Sequence, residues 1–224
     1  MGQILLVRHG QASFGADDYD VLSETGWAQG RLLGSFLAER GVRPDVIVRG
    51  DMRRHRETGE AMLEGAGWSG PTMEVDAGWD EFDHVGLVAS APDLPEGPMD
   101  RRRFQEVFER ATAHWIAGEP GDYPETYAAF AGRVRASLAA AAEEAGPGRT
   151  VVVVSSGGTI AVVAAALSDP DPDGDQSTRA RLWARFNTVM VNSSLSRVVV
   201  GSTGARLLSF NEHSHVSGDT LTYR

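Results

Sequence analysis

Val151-Val152-Val153-Val154-Ser155-Ser156-Gly157-Gly158-Thr159 decides the fold. Four β-branched residues in a row, without polar alternation, predict a strand buried on both faces, as in parallel sheets covered by helices. The run ends in small residues, and a helix is expected to begin near Thr159. Working outward, Ile4–Val7 reads as a second buried strand, which delivers Arg8, His9 and Gly10 to its C-terminal end. Ser23 can cap a helix reaching about Glu39, with Leu33, Phe36 and Leu37 on one face and Gly41 as the stop. Asp45–Val48 reads as a third strand, followed by a helix over about Arg53–Leu63. Val189–Val200 and Ala205–Phe210 are predicted as two further strands. This alternation predicts an α/β fold, a three-layer α/β/α sandwich with a mostly parallel central sheet.

The middle of the chain is different. Gly78 to Pro124 holds Pro92, Pro95, Pro98, Pro120 and Pro124. Between them Phe104, Val107, Phe108, Ala111 and Trp115 follow the i, i+3, i+4, i+7, i+11 spacing of one helix face. Residues 78–125 are therefore expected to form a helical insertion packed over the sheet, within a single domain spanning 1–224. Gly146-Pro147-Gly148 and Asp169–Asp175 read as loops.

A chain of 224 residues can bury an ample core. Its 21 Lys+Arg against 31 Asp+Glu give a formal charge of −10, which disfavours nucleic acid and anionic membranes as partners. With no cysteine, disulfides, thiolate catalysis and cysteine-ligated metals are excluded. The opening Met-Gly-Gln-Ile-Leu-Leu-Val-Arg-His-Gly lacks a basic segment before a long apolar one. No run approaches the roughly 18 apolar residues of a membrane span, so a cytoplasmic protein is expected. Oligomeric state is not readable from the chain.

Two loops fall at C-terminal strand ends, where open α/β sheets bind ligands. In Arg8-His9-Gly10-Gln11, the guanidinium can fork onto phosphate oxygens, and glycine allows close backbone approach. The neighbouring cation lowers the histidine pKa, which keeps a ring nitrogen free to attack. Arg49–Glu60 places five basic residues among twelve in an otherwise acidic chain. As a solvated helix face it would carry pairs such as Arg53 with Glu57. As a helix start at a strand end it would attract an anion.

These pieces together resemble the histidine phosphatase superfamily, which includes the cofactor-dependent phosphoglycerate mutases. Arg8-His9-Gly10 matches that family's N-terminal signature, and Leu22-Ser23-Glu24-Thr25-Gly26 its Leu-Ser/Thr-x-x-Gly. Arg54-His55-Arg56-Glu57-Thr58 falls on its Arg-Ala-x-x-Thr-Ala position, with Gly59 for the last alanine. Trp79-Asp80-Glu81 falls on its Leu-x-Glu segment, and Phe210-Asn211-Glu212 through His215 resembles its C-terminal end. The resemblance implies a phosphatase acting on a small phosphate monoester and releasing inorganic phosphate, with no metal and no cofactor. His9 would be the nucleophile and form a phosphohistidine. Arg8 and Arg54 would hold the equatorial oxygens, with Gly10, Ser156 and Gly157 completing the phosphate site. Glu81 would protonate the leaving oxygen and then activate water, and Trp79 and Phe82 offer apolar company that raises its pKa.

One position departs. Where the family usually carries a second histidine, in Ser-His-Gly-Gly, this chain has Ser156. Loss of a charge-assisted hydrogen bond of roughly 1.5–3 kcal/mol corresponds to about one to two orders of magnitude in rate. His55 and His84 are the candidates to compensate. Two alternatives stay open. One is mutase-type phosphotransfer, although Gln11-Ala12-Ser13-Phe14 departs from the Glu-Ser-x-Trp-Asn of the mutases. The other is a catalytically impaired phosphoester-binding or regulatory protein. His213, His215 and Glu212 read as packed or solvated residues, not metal ligands. Asp17-Asp18-Tyr19-Asp20 lacks calcium-loop spacing. Arg101, at the start of the inserted helix, faces the Phe104/Phe108 side and is a candidate for a second anionic group on the substrate.

Overall fold

The structure, a computed structural model, describes residues 1–13, 20–91, 94, 95, 97, 99–169 and 176–223. Phe14, Asp17–Tyr19, Pro92, Pro98, the Arg101 side chain and all but the first residue of the Asp169–Asp175 loop lie outside the described residues.

In chain order the elements are β1 (Gly2–Arg8), α1 (Glu24–Glu39), β2 (Val46–Arg49), α2 (Arg53–Ala66), β3 (Thr72–Val75), α3 (His84–Ala89) and α4 (Arg101–Ala117). They continue with α5 (Tyr127–Glu144), β4 (Thr150–Ser155), α6 (Gly157–Ser168), α7 (Gln176–Phe186), β5 (Leu195–Gly201) and β6 (Gly204–Glu212). The sheet runs β3-β2-β4-β1-β5-β6. β3, β2, β4 and β1 pair in parallel, and β5 and β6 add antiparallel strands beyond β1. The mostly parallel α/β sheet expected from the sequence is the one observed.

Strand alternation sorts the core into two faces. Leu5, Val7, Ile47, Val152, Val154 and Leu195 pack with Leu33 and Leu37 of α1 and Met62 of α2. Ile4, Leu6, Val46, Val151, Val153 and Val198 pack with α5 and α6 on the other face. Val151–Val154 are all 0% exposed, each burial contributing about 1.5–3 kcal/mol relative to exposure. α6 is apolar nearly all round, as suits a helix with neighbours on every side.

This layering positions the site. β1 and β4 are neighbours with aligned register, Arg8 opposite Ser155. The helix that follows β1 covers one face and the helix that follows β4 covers the other. The crevice where they part is the usual ligand position of an open α/β sheet.

Three boundaries differ from the sequence reading. β5 begins only at Leu195, because the preceding Asn192-Ser193-Ser194 turns beneath the His9 loop. There Ser193 has φ 61°, its N–H donates to His9 O, and Ser194 O accepts from Arg8 N. α2 runs on to Ala66 and stops where Gly67 adopts φ 66°. β3, not anticipated, is a four-residue edge strand whose mostly exposed side chains give no apolar run to detect. Ser23 caps α1 as expected, accepting from Gly26 N–H. Among the described residues no helix is long and apolar enough to cross a membrane.

Candidate functional site

His9 sits at the end of β1, 7% exposed. Its N–H donates to Ser155 O at 2.9 Å, which ties the loop to the end of β4. Nδ1 lies 2.7 Å from Gly10 O. A carbonyl only accepts, so Nδ1 carries the hydrogen and Nε2 keeps its lone pair. Burial holds the His9 pKa well below the ordinary histidine value, and the Arg54, Arg8 and His55 charges lower it further. The ring is therefore neutral at pH 7. Gly10 serves this loop by fitting against α1, since a Cβ there would lie 2.4 Å from Gly26 O. Its N–H goes to Thr58 Oγ1 at 3.0 Å, not into the cavity.

Two guanidinium groups flank the imidazole. Arg8 Nη1 donates to the carbonyls of Met190 and, at 3.1 Å, of Tyr223. Arg54, 6% exposed in the first turn of α2, pairs through Nη1 with Asp20 Oδ1 at 2.6 Å. Asp20 Oδ2 accepts from Arg53 N–H at 2.7 Å and so fixes the start of the helix. Thr58 Oγ1 in turn donates to Arg54 O at 2.7 Å.

Glu81 comes from the segment after the short 3₁₀ turn Ala77–Trp79. That segment is pinned from three sides. Ser155 Oγ donates to Trp79 O at 2.6 Å, Thr159 Oγ1 to Asp80 O at 3.0 Å, and Arg133 Nη1 to Gly78 O and Asp80 O. Gly158 N–H then donates to Glu81 Oε2 at 2.9 Å. Desolvation raises the Glu81 pKa, against the opposing pull of the Gly158 hydrogen bond and of Arg54 and Arg8. Phe82 beside it packs against Trp115 at a tilt and edge-to-face against Phe130 and Trp183. A carboxyl whose protonated form is favoured by burial can donate that proton to a leaving group.

Arg8, His9, Arg54, Glu81 and Gly157 line one cavity of about 650 Å³. Its remaining lining is mixed, with Phe82, His84, Phe104, Gln105 and Phe108 on one side and Asn187, Thr188, Val189, Met190 and Tyr223 on the other. Ser156 stands behind this wall, 1% exposed, with its hydroxyl 2.8 Å from His55 Nε2. The sequence reading left His55 and His84 unplaced. The structure buries His55 completely, its ring 5.8 Å from that of His9, and sets His84 in the cavity lining. Sequence reasoning missed Asp20, Asp80, Thr58 and the C-terminal Tyr223. The basic cluster around Arg54 was a signal that an acid would be needed nearby, but nothing local identified which one.

The C-terminal histidines are apart from this site. His213 Nδ1 faces Asn211 O, and His215 packs on Phe36 with ring centroids 5.4 Å apart. Among the described residues no group of three or more His, Cys, Asp or Glu side chains is arranged to hold a metal ion.

A mycobacterial glucosyl-3-phosphoglycerate phosphatase, solved with inorganic phosphate, is 26% identical with a TM-score of 0.65, over 97% of this chain and 100% of its own. Bacillus stearothermophilus YhfR, 19% identical, superimposes with a TM-score of 0.70 over 96% and 99%. An Entamoeba histolytica phosphoserine phosphatase, a His-to-Ala variant in complex with phosphoserine, is 17% identical with a TM-score of 0.66 over 97% and 100%. The last two likenesses establish the fold alone. No curated protein sequence gives a significant match. Residues 4–213, nearly the whole chain, match the pattern of one family. The chain belongs to the histidine phosphatase superfamily, branch 1.

Proposed function

We propose that the protein is a phosphatase that hydrolyses small phosphate monoesters through a phosphohistidine on His9. The observation that carries this reading is one cavity holding the lone pair of a neutral His9, two guanidinium groups and a carboxyl whose pKa is raised. In the first step His9 Nε2 forms a bond to phosphorus as the ester P–O bond breaks, and Glu81 gives its proton to the leaving oxygen. In the second, water attacks phosphorus, the Glu81 carboxylate takes the water proton, and the N–P bond breaks. Inorganic phosphate leaves, with His9 neutral and Glu81 protonated again. Arg8 and Arg54 supply the positive charge for the equatorial oxygens, the task a metal performs in other phosphoryl-transfer sites.

The segment 78–125 acts as a cap over this site, contributing Phe82, His84, Phe104, Gln105 and Phe108 to the cavity. Phe104 and Phe108 lie nearly parallel, 6° between their planes. Together with the Asn187 and Gln105 amides they suit a partly apolar alcohol with hydrogen-bonding groups.

The test is hydrolysis of p-nitrophenyl phosphate across pH 5–8 in EDTA, wild type beside His9→Ala. Turnover that disappears with His9 is expected. Full activity in His9→Ala, or dependence on added metal, overturns the reading.

A further inference from the structure

The last two strands pair irregularly beside the site. Between the pairs Leu195 with Glu212 and Arg197 with Ser209, one residue of β5, Ser196, faces two of β6, Phe210 and Asn211. Such a bulge bends its strand and re-aims a side chain. Phe210 packs on Phe186 of α7, ring centroids 4.8 Å apart. Asn211 takes φ 59°, in the left-handed region that asparagine tolerates better than most residues. Its N–H donates to Ser196 Oγ at 3.0 Å, which supports that conformation. Strain of this kind persists where the surroundings over-determine it, and it gathers at functional sites. The Asn211 carboxamide then meets the chain between α7 and β5. Oδ1 accepts from Val191 N–H at 2.9 Å, and Nδ2 donates to Val189 O at 3.4 Å. The residue between those two is Met190, whose carbonyl accepts from Arg8 Nη1. Residues 189–191 belong to no helix or strand, so no ladder of backbone hydrogen bonds sets their place.

We infer that Asn211 is a positioning residue, whose carboxamide clamps the chain on both sides of Met190 and so aims the Arg8 guanidinium at the phosphoryl group. This rests on the phosphatase reading. Arg8 is anchored twice by the segment that Asn211 holds. Ser194 O accepts its backbone N–H at 3.0 Å, and Met190 O accepts from its side chain. The nucleophile loop rests on the same turn, where Ser193 N–H reaches His9 O at 3.2 Å. Val189 and Met190 also form part of the cavity wall. A guanidinium stabilises developing charge best when its place is set before the reaction begins. With the carboxamide gone, the Met190 carbonyl loses the bonds on either side of it, and the long Arg8 side chain follows a looser acceptor.

The test is a double-mutant cycle of Asn211→Gly and Arg8→Ala on p-nitrophenyl phosphate, with kcat and KM read separately and folding checked by near-UV circular dichroism. Glycine adopts a φ near 59° without strain, so Asn211→Gly removes the carboxamide and keeps the bulge. It is expected to lower kcat by roughly tenfold. In the Arg8→Ala background the same change should cost less than about twofold, because the clamp acts through Arg8. A merely structural role would lower both backgrounds alike. An Asn211→Gly kcat within about twofold of wild type, or an equal loss in both backgrounds, overturns the inference. If Arg8→Ala turns over too slowly to assay, the cycle is read on orthovanadate binding with the same thresholds. If Asn211→Gly does not fold, Ser196→Ala frees the Asn211 N–H and is read in its place, with the same outcomes. If the wild type shows no His9-dependent turnover, the phosphatase reading has failed, and the clamp is judged by orthovanadate binding alone. Roughly tenfold weaker binding in Asn211→Gly supports it. Unchanged binding, or none in the wild type, overturns it.

Discussion

Gly158 and Glu81 meet so closely that a Cβ on the glycine would lie 2.3 Å from the carboxylate Oε1, while the same glycine's N–H holds Oε2 at 2.9 Å. The first turn of α6 thus seats the carboxyl and also forbids a side chain. Gly158→Ala is expected to displace Glu81 and lower kcat by about 10- to 100-fold, within the range general acid catalysis supplies. Glu81→Gln should cost at least as much. Steady-state kinetics on p-nitrophenyl phosphate check both, and wild-type kcat in Gly158→Ala would sink the role given to Glu81.

The pH profile follows from two opposite shifts. His9 must be neutral, and its lowered pKa keeps it so well below pH 6.5. Glu81 must be protonated in the first step, and its raised pKa extends that state above the ordinary glutamate range. Activity on p-nitrophenyl phosphate is therefore expected to peak on the acid side of neutrality and decline as pH rises through the Glu81 pKa. In Glu81→Gln that alkaline decline should vanish. A flat wild-type profile from pH 5 to 8 would count against the pairing.

Gln29, fully buried in α1, ties two distant segments to one another. Its Oε1 accepts from Gln11 N–H, and its Nε2 donates to Thr220 O and Thr222 Oγ1. The docked tail brings Tyr223 into the cavity lining and its carbonyl to Arg8. Gln29→Leu should release the tail and raise KM more than it lowers kcat, with a stability loss of about 1–3 kcal/mol from the stranded Gln11 donor. Kinetics and urea denaturation read the two effects separately.

Thr58→Val removes the acceptor of Gly10 N–H while keeping the shape of the side chain. A buried donor left unpaired costs about 1–3 kcal/mol, and a lowered urea midpoint is the expected result. An unchanged midpoint would mean that water or another acceptor takes over.

Stability should also depend on pH through His215, whose pKa falls to about 4 in the folded protein, chiefly by burial. The unfolded chain takes up the proton first, near pH 6.5. The folded state is therefore progressively disfavoured as pH drops from about 6.5 toward 4. His215→Leu should flatten this part of a plot of denaturation midpoint against pH, and an unaltered slope would refute it.

Sequence alone determined the strands Ile4–Val7 and Val151–Val154, the Ser23 cap, and the inserted helix with its buried Val107, Ala111 and Trp115. These are legible because local rules write them: β-branched runs, helical periodicity and capping residues. Among the site candidates, Arg8 and His9 stood out in a loop at a strand end, whereas Arg54 and Glu81 came from the family resemblance. Tertiary structure alone decided the partnerships. His55 meets Ser156 across 101 residues, Asp20 meets Arg54 across 34, and the Tyr223 carbonyl meets Arg8 across 215. Each depends on which strands are neighbours and which face a helix turns inward, and no local pattern encodes that. Read in the chain, His55 was a member of a basic run and, with His84, an unplaced candidate to compensate for Ser156. The fold made it a buried imidazole, because α2 turns that one side chain toward the end of β4 while Arg53 and Arg56, on either side of the Arg54-His55 pair, remain at the surface.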